Sequence, residues 1–172
     1  MSPRKSSPRE LRRARRTSRH GCWGHLVVAP LWVAYDANLG TLLRTCDAVG
    51  ACMAVPATPH YREALRRGDT LRRGRPCIHW VRPDKDSWLE QQRAAGSQIV
   101  AIELAEGATP LPRLQMASVP TVVLLGHEHH GIPPEHVELA DVCVEIPMCG
   151  QGASLNVAVA GSLVLYRLSG LG

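Results

Sequence analysis

Short apolar runs recur along this chain, each separated from the next by a stretch with helical spacing. That alternation limits the folds open to it more than any other feature. Runs of strand character cover residues 25–29, 51–55, 77–81, 98–103, 121–126 and 142–146, and helical stretches cover 39–49, 61–67, 84–95, 134–139 and 153–168. Most of the strand runs are continuously apolar rather than alternating, as expected of strands buried on both faces. Strand and helix taking turns predict an α/β fold, a mainly parallel sheet flanked by helices. A chain of 172 residues suits one domain with a proper core, and with no Phe that core must be built from Leu, Val and Ala. In such sheets ligands bind in the loops beyond the carboxyl ends of the strands. Three loops qualify, at residues 30–38, 126–134 and 147–154.

The net charge of +5 is unevenly spread: residues 1–20 carry +7 and the remainder −2. The expected organisation is therefore a basic, flexible tail over 1–22 and a folded domain over 23–172. An Arg-rich tail suits phosphate-bearing partners, nucleic acid before anionic membrane, although a merely solvated tail and an organellar transit peptide fit the same composition. A secretory signal fits poorly, because the apolar run at 26–28 is short and Pro30 follows it. The six cysteines form no C-x-x-C pair and sit mostly in apolar segments, which reads as reduced thiols. The last helix has an apolar run of about ten residues, too short for a bilayer. The expected location is cytoplasmic, with no membrane partner.

A second basic stretch lies inside the domain: Arg62, Arg66, Arg67, Arg72, Arg73 and Arg75, offset only by Glu63 and Asp69. Six arginines so close together predict a phosphate-tracking surface for RNA or DNA, against the plainer reading of a solvated helix. The loop Gly126-His127-Glu128-His129-His130-Gly131 invites a metal reading. Its spacing departs from H-E-x-x-H, and no Cys lies in a zinc-like interval, so no metal is expected. A strand running into Gly-x-Glu-x-x-Gly instead predicts a tight loop whose backbone meets a ligand. Gly150-x-Gly152 imitates the start of a dinucleotide fingerprint, but Leu155 stands where its third glycine belongs. Asn38 reads as a helix N-cap, with Leu39, Leu42, Leu43 and Cys46 on one face and Arg44 on another. The final helix is apolar almost all round and so predicts burial on most sides, with Ser154 and Asn156 at its mouth.

Three segments in this order resemble the SpoU/TrmH branch of the SPOUT RNA methyltransferases. The family's Asn-x-Gly-x-x-x-Arg-Thr is matched at Asn38, Gly40, Arg44 and Thr45. Its apolar strand leading into Gly-Asn-Glu-x-x-Gly is matched at Gly126, Glu128 and Gly131, with His127 where the family often has Asn. Its Ile-Pro-Met-x-Gly-x-x-x-Ser-Leu-Asn-Val-x-x-Ala is matched at every specified position over 146–160. The resemblance covers roughly residues 25–170. It implies a C-terminal deep trefoil knot, which no general folding rule would suggest. It also implies a homodimer whose site is completed across the interface, and methyl transfer from S-adenosylmethionine to a ribose 2′-hydroxyl of tRNA or rRNA. An RNA-binding protein that keeps the fold without catalysis is the alternative. Leu125, Gly126, Ile146, Met148 and Leu155 would hold the cofactor.

The arginine matching Arg44 is regarded as the catalytic group in that family. With an arginine pKa near 13, a neutral guanidine at pH 7 costs about 8 kcal/mol, and a nearby phosphate raises that cost. The reading adopted is that Arg44 clamps the reacting phosphate and stabilises the developing alkoxide. Asn38, Ser154 and Asn156 would orient Arg44 and the hydroxyl, and Glu128 would hold the motif loops or the partner's arginine. Ser154 acting only as a helix N-cap, worth about 1 kcal/mol, is the competing reading.

Overall fold

In the computed structural model, residues 26–68 and 77–172 are described. The 1–22 tail, Cys22 and the arginines at 72, 73 and 75 lie outside them. The elements run β1 (Leu26–Ala29), α1 (Asp36–Val49), β2 (Cys52–Pro56), α2 (Pro59–Gly68), β3 (Ile78–Val81), α3 (Lys85–Ala94), β4 (Gln98–Ile102), β5 (Thr109–Pro110), β6 (Thr121–Leu124), α4 (Pro134–Glu138), β7 (Val142–Glu145) and α5 (Val157–Leu168), with a 3-10 turn at Leu111–Arg113. The seven strands form one sheet in the order β3-β2-β1-β6-β4-β7-β5. Every neighbouring pair is parallel.

The continuously apolar runs are explained by the two layers that sandwich this sheet. One core joins Leu26, Val28, Met53, Val55, Val100 and Val123 to Leu39, Leu42 and Leu43 of α1 and Val164 and Leu165 of α5. The other joins Val27, Ala29, Ala54, Ile99, Ala101 and Leu124 to Trp88 and Leu89 of α3. Successive strand residues feed opposite layers, so β1 and β2 carry only apolar side chains.

Three expectations need correction. The final helix begins at Val157, not 153, because the Asn156 side chain accepts from the Ala158 and Val159 amides and caps it there. Ser154 therefore lies outside the helix and is not its N-cap. Likewise α1 begins at Asp36, so Asn38 sits inside the helix and caps nothing. Last, the burial expected on most sides of α5 is incomplete within the single chain: Val159, Leu163 and Tyr166, at helical spacing, are 47%, 43% and 41% exposed. The two-residue β5 was not anticipated; a Thr-Pro pair carries no strand signal.

Candidate functional site

β1 and β6 are neighbours, but the chain leaves β1 toward β2 and β3 on one side and reaches β4 and β7 on the other. A crevice opens at such a reversal, beyond the carboxyl ends of the strands. Here it is a cavity of about 930 Å³. The loops after β6 and β7 form its walls, and Asn38 of α1 reaches it from the third side.

The loop after β6 is held in one shape by its two glycines. A Cβ on Gly126 would run into the backbone of Gly131 and Ile132, and Gly131 has φ +68° with the Glu103 carboxylate against it. The loop closes through reciprocal bonds between His127 and Gly131, each amide donating to the other's carbonyl at 2.9 Å. Only glycine meets both demands without strain. Glu128 is thereby presented toward the first loop. Its carboxylate accepts from the Ala34 amide at 2.9 Å, the Tyr35 amide at 3.0 Å and Asn38 Nδ2 at 2.7 Å. Burial alone would raise the pKa of this carboxyl, but the three donated bonds outweigh it and the pKa is lowered. Asn38 is buried and spends its other atom on the third loop, its Oδ1 accepting from Asn156 Nδ2 at 3.0 Å. One chain of hydrogen bonds thus joins all three motifs, across 90 residues from Asn38 to Glu128 and 118 from Asn38 to Asn156.

Of the ten residues singled out as catalytic or cofactor-binding, nine line this cavity: Asn38, Leu125, Gly126, Glu128, Ile146, Met148, Ser154, Leu155 and Asn156. Ile102 and Val144 line it together with the apolar members, and Asn38, Glu128 and Asn156 are joined by hydrogen bonds at the mouth of α5. Arg44 is the exception. It is exposed on α1, outside the lining of the cavity. Its neighbour Thr45 bonds Ser162 of α5 at 2.8 Å, which packs that turn of α1 against α5.

Two lining residues were missed from the sequence. Glu103, just past β4, accepts from the Ile132 amide at 2.9 Å and braces the second loop. An acid ending an apolar run at a strand's carboxyl end was the signal available. Tyr35 meets His129 Nε2 through its hydroxyl at 2.8 Å. The histidines of this loop stand side by side, the rings of His127 and His130 4.7 Å apart. Among the described residues their nitrogens do not converge on a common point.

The arginine stretch is more engaged than its sequence suggests. Arg66 and Arg67 both bond Glu63 at 2.8 Å, and Arg67 also approaches Asp36 at 3.5 Å. The bond from Arg66 lowers the Glu63 pKa most, and with the bond from Arg67 and the two positive charges it outweighs the opposing loss of solvation, bringing the carboxyl down to about 2. Arg62 stacks over Trp80, 4.3 Å from its ring centre.

The family profile of the SpoU rRNA Methylase family matches residues 25–166. The chain belongs to that family. SpoU relatives include the tRNA (guanosine(18)-2′-O)-methyltransferase of Aquifex aeolicus, 33% identical over 141 residues, 78% of this chain and 64% of that protein. The 23S rRNA (guanosine(2553)-2′-O)-methyltransferase of Bacillus subtilis is 34% identical over 136 residues, 77% of this chain and 53% of that protein. Among solved structures, the AdoMet-bound rRNA methyltransferase from Sinorhizobium meliloti superposes with a TM-score of 0.71 at 32% identity, over 84% of this chain and 56% of that one. The chain thus spans less than two thirds of these SpoU relatives.

Proposed function

We propose that the chain is a methyltransferase that moves a methyl group from S-adenosylmethionine to a ribose 2′-hydroxyl of tRNA or rRNA. The observation that carries this reading is the cavity in which the second and third motif loops meet, lined by Leu125, Ile146, Met148 and Leu155 together with Asn38, Glu128, Ser154 and Asn156. Leu125, Ile146, Met148 and Leu155 suit the adenosine and methionine portions of the cofactor, and Gly126 lets backbone come close to it. The bound cofactor would supply an electrophilic methyl sulfonium. The residues at the helix mouth would then align the incoming hydroxyl with it, which is worth more than any single contact.

Ser154, whose hydroxyl makes no hydrogen bond to the described residues, is the natural partner for that hydroxyl. Glu128, Asn38 and Asn156 are linked in one hydrogen-bonded chain, and their role is to hold the loops in register. Arg44 acts as clamp and alkoxide stabiliser in the site of a second subunit. Its position outside the cavity of its own chain supports that arrangement, as does the exposed stripe of Val159, Leu163 and Tyr166 on α5, the helix that α1 packs against. Exposed apolar surface of this kind on a helix marks an interface. We read α5 as both the knotted segment of the fold and part of a homodimer contact. Its inner face, packed so closely that a Cβ on Gly161 would press on Leu42 and Leu125, is what a segment buried inside the fold requires. RNA would be tracked by Arg62 and by the 72–75 arginines, with Arg66 and Arg67 partly neutralised by Glu63.

The test is methylation of total tRNA and of ribosomal RNA with labelled cofactor, followed by mapping of the modified ribose. Cofactor binding by calorimetry with no labelled RNA from either pool would leave an RNA-binding SpoU-fold protein without catalysis. Failure to bind the cofactor would remove the reading altogether.

A further inference from the structure

At the other end of the sheet, three side chains with strong affinity for soft metals converge, and no part of the methyl-transfer reading uses them. β2 and β3 pair in register with Met53 opposite Ile78, which sets Cys52 opposite Cys77. The Met53 amide donates to the Cys77 carbonyl at 2.9 Å and fixes that register at its start. Cys77 and His79 are two residues apart on an extended chain and so project to one side. The sulfurs of Cys52 and Cys77 lie 2.6 Å apart, and Cys77 Sγ is 3.5 Å from His79 Nε2. All three donor atoms fall within 4.8 Å of one another. Cys52 is buried, and the other two are half-buried.

We infer that Cys52, Cys77 and His79 bind a zinc ion, as three of its four tetrahedral ligands. Two thiolates and an imidazole are the donor set zinc prefers, and they disfavour magnesium and calcium, which take oxygen. In a zinc site the sulfurs would stand about 3.8 Å apart, the edge of a tetrahedron with bonds near 2.3 Å. The thiols must therefore part by roughly 1 Å, within reach of side-chain rotation. Binding is coordination without redox change: two thiol protons pass to solvent as two S–Zn bonds form. The site lies at the amino ends of β2 and β3, away from the cavity at the carboxyl ends, so its role is structural. It anchors the start of β3, where the chain re-enters the sheet after residues 69–76 and their three arginines. This inference does not depend on the methyltransferase reading.

The experiment uses the full chain purified under reducing, chelator-free conditions. Zinc is quantified by elemental analysis, and its affinity by competition with a chromogenic chelator. The expected result is one equivalent of zinc per chain in the wild type and in the Cys149→Ser control, and loss of at least tenfold in affinity in Cys77→Ser and in His79→Gln. Cobalt substitution of the wild type, which needs no variant to fold, should give a thiolate-to-cobalt charge-transfer band. A chain that holds zinc no better than its Cys77→Ser variant would overturn the inference. So would a cobalt spectrum without that band, or a Cys52–Cys77 disulfide recovered from the reduced preparation by mass spectrometry.

Discussion

Replacing Glu128 by Gln changes one oxygen to an NH2 group and tests how the three motifs are held together. Oε1 accepts from the Tyr35 amide and Asn38 Nδ2, and Oε2 accepts from the Ala34 amide. In its better orientation the glutamine keeps its oxygen at the first pair and turns its NH2 toward Ala34, donor against donor. One hydrogen bond is lost and two fall from charge-assisted to neutral. A bond to a charged group is worth about 1.5–3 kcal/mol and a neutral one about 1. Because Glu128 is only partly buried, solvent discounts that difference, and Glu128→Gln should cost about 2 kcal/mol near neutral pH. The folded-state pKa of Glu128 is depressed, so its contribution is fully present above the unfolded carboxyl value, about 4.3. It is lost progressively as pH falls from there through the folded value. Urea unfolding of wild type and variant at about pH 7 and about pH 3.5 should therefore show the gap shrinking in acid. The depressed Glu63 titrates in both proteins and cancels in the difference. Equal stabilities at neutral pH, or a gap that does not change with pH, would mean that the carboxylate does not hold the loops.

Arg44 is exposed, so Arg44→Ala should alter stability by no more than about 0.5 kcal/mol while abolishing methyl transfer. Arg44→Lys restoring near-wild-type turnover with an unshifted pH profile would sink the specific guanidinium role. Ser154→Ala should leave the urea midpoint unchanged and lower turnover, whereas Asn156→Ala should cost about 1 kcal/mol through loss of the cap alone. The reverse ranking in unfolding experiments would return Ser154 to a structural part. Leu163→Asp should convert a dimer to a monomer in light scattering; a wild type that is already monomeric refutes the interface.

The layered architecture was legible because period and position agree in this chain: an apolar run buried on both faces needs no partner to be recognised. Nine of the ten candidate site residues line one cavity, and it was the family resemblance that named them; spacing alone located only the three loops at the strand ends. The start of α5 was placed too early although its cap, Asn156, is local, whereas that of α1 was misplaced because a side chain bonds at long range. Asn38 has the side chain of an N-cap, but its amide is occupied by Glu128 and Asn156, 90 and 118 residues away. No local pattern encodes that. The outward face of α5 fits the sequence reading only with a second subunit: its apolarity all round asked for burial on most sides, and in the single chain Val159, Leu163 and Tyr166 remain exposed. Glu103 was overlooked because a lone acid at a strand end becomes informative only once the Ile132 amide stands in front of it.

The hydrogen-bonded path from Glu128 through Asn38 to Asn156 also sets how the site can fail. Three segments share one carboxylate and two amides, so none can swing away without leaving its partners' donors and acceptors unmet. The loops behave as a single latch rather than as three independent clasps. Graded loosening of this site is therefore disfavoured: it is either assembled in full or released as a unit, and a ligand touching any one loop stabilises the other two.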